Sequence, residues 1–240
     1  MIRSTYLRLA ATALAVPVLL AACGASSGGT ASQEPIPSIP SVAPATPTPE
    51  PTHPGPTYNP GCPTKQPDAL GAGEVRKVTI ETDKGTMELT LTADLSPIAV
   101  GNFVALAECG YYDSVVFHRV VPGFVIQGGD GQFGRSPDII FDIVGSGGPP
   151  YRIKDEKVTA RYHRGTVAMA RTMQPDSVGS QFFIVLDDGA EQALASYNTY
   201  QIIGEVTSGM DVADAIAAAA NGVEIPTDPI VMKKVTVSTP

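Results

Sequence analysis

The chain has no tryptophan, only three cysteines and only three histidines (His53, His118 and His163) in 240 residues. Three cysteines cannot build a disulfide-dense scaffold or two zinc knuckles, and three scattered histidines exclude a histidine-rich metal cage. Basic residues are also few. Sixteen Lys and Arg stand against 24 Asp and Glu, for a formal charge of −8. A nucleic acid needs clustered Lys and Arg to displace its counterions, so non-specific nucleic-acid binding is excluded. Crossing roughly 30 Å of bilayer hydrocarbon takes about 20 apolar residues, and the stretch from Leu9 to Ala22 is too short to do so comfortably. Proline, by contrast, is plentiful, with 22 in all and twelve of them between Pro35 and Pro67. The composition is that of a tail joined to a globular domain.

The first 22 residues read as an address. Arg3 and Arg8 make a basic start, a short apolar core follows, and small residues precede a cut, as in a secretory signal. Leu20-Ala21-Ala22-Cys23 resembles the bacterial lipobox. That resemblance implies cleavage before Cys23 and diacylglycerol on its sulfur, holding the protein at the outer face of the cell membrane. The alternative is an ordinary signal peptide with an incidental cysteine. Residues 23–70 are rich in Pro, Ser, Thr and Gly and cannot bury enough apolar surface to offset their ordering entropy. They are expected to form a disordered tether, with the Pro-rich part in extended polyproline II.

Two short motifs fail on context. Gly24-Ala25-Ser26-Ser27-Gly28 matches G-x-S-x-G but lies in the tether, where nothing could build a nucleophile elbow. Gly129 to Gly134 matches G-x-G-x-x-G, yet Pro137 follows where a dinucleotide site would open a helix.

The domain spans 71–240. β-Branched residues from Val75 to Asp83, the Lys84-Gly85 turn and the alternation from Thr86 to Leu91 predict a β-hairpin. Ser96 is placed to cap a helix that has Pro97 at its first position and ends at Gly110. Further strands are predicted over Val115–Val121, Phe124–Gln127, Thr166–Ala170, Gln181–Leu186, Tyr200–Val206 and Ile230–Val237. A second helix is predicted over Met210–Ala220. Many short strands with two separated helices indicate a mainly β barrel or sandwich with helical plugs.

Phe117-His118-Arg119-Val120-Val121-Pro122-Gly123-Phe124-Val125-Ile126-Gln127-Gly128-Gly129-Asp130 closely resembles the signature of cyclophilin-type peptidyl-prolyl isomerases. Gly165 to Arg171 and Gly179 to Ile184 resemble two further motifs of that family, in the same order. The resemblance covers nearly all of Val75 to Pro240. It implies an eight-stranded antiparallel β-barrel capped by two α-helices, with an active groove on its outer face. It also implies proline-containing polypeptides as substrates and requires no cofactor or metal; the chain is expected to act as a monomer.

The chemistry follows from the bond. Turning a peptide bond breaks its partial double bond, at a barrier of about 18–20 kcal/mol. For X-Pro the two isomers differ by only about 0.5–1 kcal/mol, yet exchange unaided takes tens of seconds or longer. A catalyst must hold the proline, grip the preceding carbonyl and bind the twisted imide better than either planar form. Arginine suits the last task, because it stays charged and offers a planar fork of donors. Arg119 is the catalytic candidate. By resemblance, Phe124, Val125 and Phe183 line the proline pocket, with Leu194 and Tyr200 in the same binding set. Gln127, Gln181 and the Ala170-Arg171 backbone hold the substrate chain. His118 reads as a structural partner, since the reaction requires no proton transfer. Without the flanking motif each of these would read as an ordinary surface charge, core aromatic or satisfied amide.

The chain departs from the family pattern in several places. A pocket methionine is replaced by Val125, and an asparagine by Arg171, which leaves that side-chain contact in doubt. The family's pocket-edge tryptophan, where cyclosporin recognition concentrates, is replaced near Ala193-Leu194. Gln132 to Val144 reads as an insertion that packs beside the groove and alters substrate choice. Cys62 and Cys109 would, if bonded, fasten the tether's end to the end of the first helix; two free thiols are the alternative. A binding module for proline segments with little turnover, and an envelope protein using the barrel as a scaffold, are the competing functions.

Overall fold

Val78 and Ile80 alternate with Lys77, Thr79 and Glu81, while Met87, Leu89 and Leu91 alternate with Glu88 and Thr90. The apolar set of each run is fully buried. These runs form β1 (Val75–Thr82) and β2 (Gly85–Thr92), an antiparallel hairpin that closes from Thr82 to Gly85 as the sequence predicts. The computed structural model describes residues 59–240; the signal segment, Cys23 and the tether up to residue 58 lie outside the described residues.

The remaining elements are α1 (Pro97–Glu108), β3 (Val115–Val116), β4 (Arg119–Val121), β5 (Val125–Gly128), β6 (Thr166–Met169), β7 (Phe182–Val185), α2 (Glu191–Tyr197), β8 (Ile202–Ser208), α3 (Met210–Ala219), β9 (Val231–Met232) and β10 (Lys234–Ser238). Eight strands form one sheet in the order β10-β1-β2-β8-β6-β7-β5-β4, antiparallel throughout. The two edge strands, β10 and β4, are not paired with each other, so the sheet curls into a half-closed barrel. The two expected helices are α1 and α3.

Three of the elements differ from the sequence reading. The β-branched run Val115–Val121 breaks at Phe117-His118 into two strands in different sheets, because β3 pairs with β9 while β4 pairs with β5. The last predicted strand likewise divides into β9 and β10. The short helix α2 is additional. Its seven residues bury only Leu194, too little for a helical period to show.

The sheet separates two apolar clusters by strand alternation. Ile126, Val167, Met169, Phe182 and Ile184 face inward with α1 and α3. There Phe103 stacks on Tyr112 (4.8 Å between ring centroids) and meets Phe182 edge-on (5.2 Å). Val125, Ala168, Phe183 and Val185 face outward and pack with Leu194 and Ile202.

Helix α1 is buried on nearly every side. Its outer face is covered by residues 59–70, which lie on the domain rather than within a free tether. Leu70 N–H donates to Pro97 O (3.1 Å), Asn59 Nδ2 donates to Gly110 O (3.2 Å), and Cys62 is bonded to Cys109. The chain passes so close that a Cβ on Gly101 would collide with the Asp68 carbonyl. Ser96 does not cap this helix with its side chain; its hydroxyl donates to Leu95 O. The Glu156 carboxylate does so instead, accepting from Ile98 N–H (2.8 Å) and Ala99 N–H (2.9 Å), where a negative charge is favoured.

A candidate active-site groove on the outer face

Strand register builds the site. Arg119 on β4 pairs with Gln127 on β5, and Gln127 pairs with Phe183 on β7. Directly paired residues project to the same face. The sheet therefore lays a cation, an amide and an aromatic ring side by side on its outer surface, opposite the main core.

Beside this row is a groove of about 400 Å³. Val125, Phe183 and Leu194 make its floor, each nearly fully buried. Phe124, half-buried, forms one wall, and Tyr200 meets Phe183 edge-on at 5.4 Å. Tyr200 is held by its carbonyl, which accepts from Tyr162 Oη (2.9 Å). Burial pushes the Tyr162 phenol up to about 12, so it remains a donor at neutral pH.

Arg119 stands at the groove's polar edge. Its Nη1 donates to Gln127 Oε1 (3.4 Å) and its Nε to Glu224 Oε1 (2.6 Å). Gln127 Nε2 donates to Gln181 Oε1 (3.0 Å), and Gln181 Nε2 donates to Gly145 O (2.8 Å) and Gly147 O (2.9 Å). Those two glycines are held from behind. The buried Asp130 carboxylate accepts from the N–H groups of Gln132, Phe133, Gly145 and Gly147. Gly129, at φ +93°, leads into this turn, and its missing side chain leaves room for Ser180 O, which an added Cβ would meet at 2.7 Å. The segment after Gly129 forms turns and opens no helix, which disposes of the dinucleotide motif.

Each residue singled out in the sequence can now be placed. Arg119, Phe124, Val125, Gln127, Ala170, Phe183, Leu194 and Tyr200 all line the one groove, and Gln181 joins through Gln127. Arg171 reaches the groove wall, but its guanidinium is occupied. It pairs with Asp155 (2.9 Å) and donates to the carbonyls of Thr172 and Gln174, so the segment contributes chiefly backbone there. Residues 132–144, read in the sequence as an insertion, lead into Gly145–Gly147, which border a neighbouring cavity of about 370 Å³ rather than the apolar groove itself. His118 is buried under this surface, and neither ring nitrogen has a hydrogen-bond partner among the described residues. Burial lowers its pKa, with the Asp130 charge opposing.

Sequence reasoning did not single out Met173, Tyr197 or Glu224. Met173 (81% exposed) and Tyr197 (56%) form the outer rim of the groove. Glu224 comes from the segment between α3 and β9, outside every motif, and no local pattern could have marked it.

The arrangement has no nucleophile poised for attack. What it offers is a fixed cation beside an apolar slot, suited to binding a ring and a neighbouring polar atom together. The comparisons agree. The profile of the family described as cyclophilin type peptidyl-prolyl cis-trans isomerase/CLD matches residues 77–237. A probable peptidyl-prolyl cis-trans isomerase of Brucella suis is 40% identical over 160 residues, 64% of this chain and 79% of that protein. Peptidyl-prolyl cis-trans isomerase B of Escherichia coli is 33% identical over 172 residues, covering 67% of this chain and 99% of that one. A Cryptosporidium parvum cyclophilin-type isomerase, solved in the presence of the dipeptide Ala-Pro, superposes with a TM-score of 0.58 at 29% identity, over 68% of this chain and 99% of that one. The matched segment 77–237 contains the whole groove, and the chain belongs to the cyclophilin-type peptidyl-prolyl cis-trans isomerase family.

Proposed function

We propose that the outer groove is where this isomerase turns X-Pro bonds in proline-containing polypeptides, with Arg119 as its catalytic residue. The proline ring enters the apolar slot over Phe183, Val125 and Leu194. The guanidinium lies at the edge, where the imide nitrogen regains its lone pair as the bond twists. A donor fixed there favours the half-rotated form over both planar forms and so lowers the barrier. Gln127, Gln181 and the 170–171 backbone hold the chain on either side. The observation that carries this reading is the register row Arg119–Gln127–Phe183, which sets the cation against the slot. The Ala-Pro dipeptide present with the related Cryptosporidium parvum enzyme supports the ligand class.

The proposal extends to place. The basic start, short apolar core and Leu20-Ala21-Ala22-Cys23 support an exported protein, lipidated on Cys23 and acting on exported chains outside the cell membrane. A bonded Cys62–Cys109 pair suits an oxidising compartment.

Exchange NMR on a proline peptide, with wild type and Arg119→Ala, tests the chemistry. The variant should turn the bond about 10²–10³-fold more slowly. Equal line broadening from both would remove Arg119 from its role. For location, Cys23→Ala should release the protein from the membrane fraction; retention there would refute the anchor.

A further inference from the structure

Arg119 is about one-third exposed, and long exposed side chains lose their fixed geometry readily. A group that acts by position needs a restraint. The strand supplies only the weak 3.4 Å bond from Nη1 to Gln127. The stronger restraint comes from elsewhere in the chain. Glu224 O accepts from Val120 N–H (2.8 Å), which ties the 220–230 segment to β4 one residue past Arg119. From that fixed backbone the Glu224 carboxylate accepts from Arg119 Nε at 2.6 Å. The guanidinium is thereby set at its inner nitrogen. Among the described residues nothing accepts from Nη2, so the outer end of the fork is left for a substrate.

We propose that Glu224 is the positioning residue for Arg119, fixing rotation about the Cδ–Nε bond so that the free end of the fork faces the groove. This rests on the reading of Arg119 as the group that acts on the imide. A carboxylate beside a cation also damps its field, but at a wetted edge that damping is largely screened, whereas misplacement of a reacting group is costly. An exposed ion pair adds little to folding, so the effect belongs to turnover rather than to stability.

The test uses the full-length chain with Glu224→Ala, Glu224→Gln, Arg119→Ala and the double variant Glu224→Ala/Arg119→Ala. Exchange NMR on a proline peptide gives kcat and KM, and the Arg119 Nε–Hε resonance reports the bond directly. Glu224→Ala should lower kcat about tenfold, change KM less than about twofold and shift the Nε–Hε resonance. Its melting temperature should stay within about 2 °C of wild type. Glu224→Gln, whose amide oxygen still accepts from Nε, should recover most of the loss. In the Arg119→Ala background, Glu224→Ala should have no further effect. Wild-type kcat in Glu224→Ala, a change confined to KM, a Gln variant as slow as Ala, or an undiminished loss in the Arg119→Ala background would each overturn the proposal. If Arg119→Ala alone kept wild-type activity, the assignment of Arg119 would fail instead.

Discussion

Gln127 donates from Nε2 to Gln181 Oε1 at 3.0 Å while its own Oε1 faces the Arg119 guanidinium at 3.4 Å. The two bonds fix which way the Gln127 amide points. Gln181 is fixed in turn by two glycine carbonyls, and these by the buried Asp130 carboxylate. A relay of hydrogen bonds thus runs from the protein's interior to the Arg119 edge of the groove.

This relay predicts shared rather than separate contributions. Gln127→Ala and Gln181→Ala should each lower kcat/KM about tenfold, and the double variant should lose much less than the product. Exchange NMR on one proline peptide decides it. Multiplicative losses would mean that each amide meets the substrate independently.

Phe183 is a nearly buried aromatic ring in the groove floor, and the proposed function rests a bound proline on it. Phe183→Leu keeps the floor apolar but removes the edge-on contact with Tyr200. Peptide affinity should fall about fivefold, close to 1 kcal/mol, with catalysis of bound peptide little changed. Titration of the variant by NMR gives Kd, and an unchanged value would displace Phe183 from the slot.

The groove's rim bears on cyclosporin. Leu194, Tyr197 and Tyr200 line the groove there, and none of them carries an indole N–H. Affinity should be about micromolar or weaker. A nanomolar Kd by isothermal titration calorimetry would contradict this.

Stability should depend on pH through His118. Burial lowers its folded-state pKa below the ordinary 6.5, so protonation favours the unfolded chain. The contribution is complete above about pH 6.5 and is lost as pH falls toward the depressed folded value, by at most about 1.4 kcal/mol per pH unit. Urea midpoints measured from pH 7.5 down to 5 should fall in wild type and fall less steeply in His118→Gln. Parallel curves would assign the dependence to other groups.

The Cys62–Cys109 bond closes a sequence separation of 47 residues. Its removal by Cys62→Ser/Cys109→Ser should cost about 2–4 kcal/mol, read as a lowered melting temperature under non-reducing conditions. Alkylation of both thiols in the native protein without reductant would show that no bond forms.

Much of this is legible in the sequence. The hairpin of β1 and β2 is written locally, in alternation and in Lys84-Gly85. Most groove residues cluster in three motifs, whereas Leu194 and Tyr200 lie beyond them. What escaped is what depends on distant partners. Val115–Val121 looks continuous because β-branched residues do not reveal which neighbour each half will pair with. Ser96 looks like a cap, but Glu156 reaches the helix end from 57 and 58 positions away. Glu224 meets Arg119 across 105 positions, and nothing about an isolated glutamate in a loop announces that contact.

The row Arg119–Gln127–Phe183 spans three strands, and a slip of one residue in β5 would turn Gln127 into the barrel and Ile126 out. The sheet therefore behaves as a fixed template, in which the layout of the groove and the integrity of the core are the same set of pairings. Side chains in residues 132–144, the Arg171–Asp176 loop and α2 lie outside these pairings and can change without disturbing any ladder.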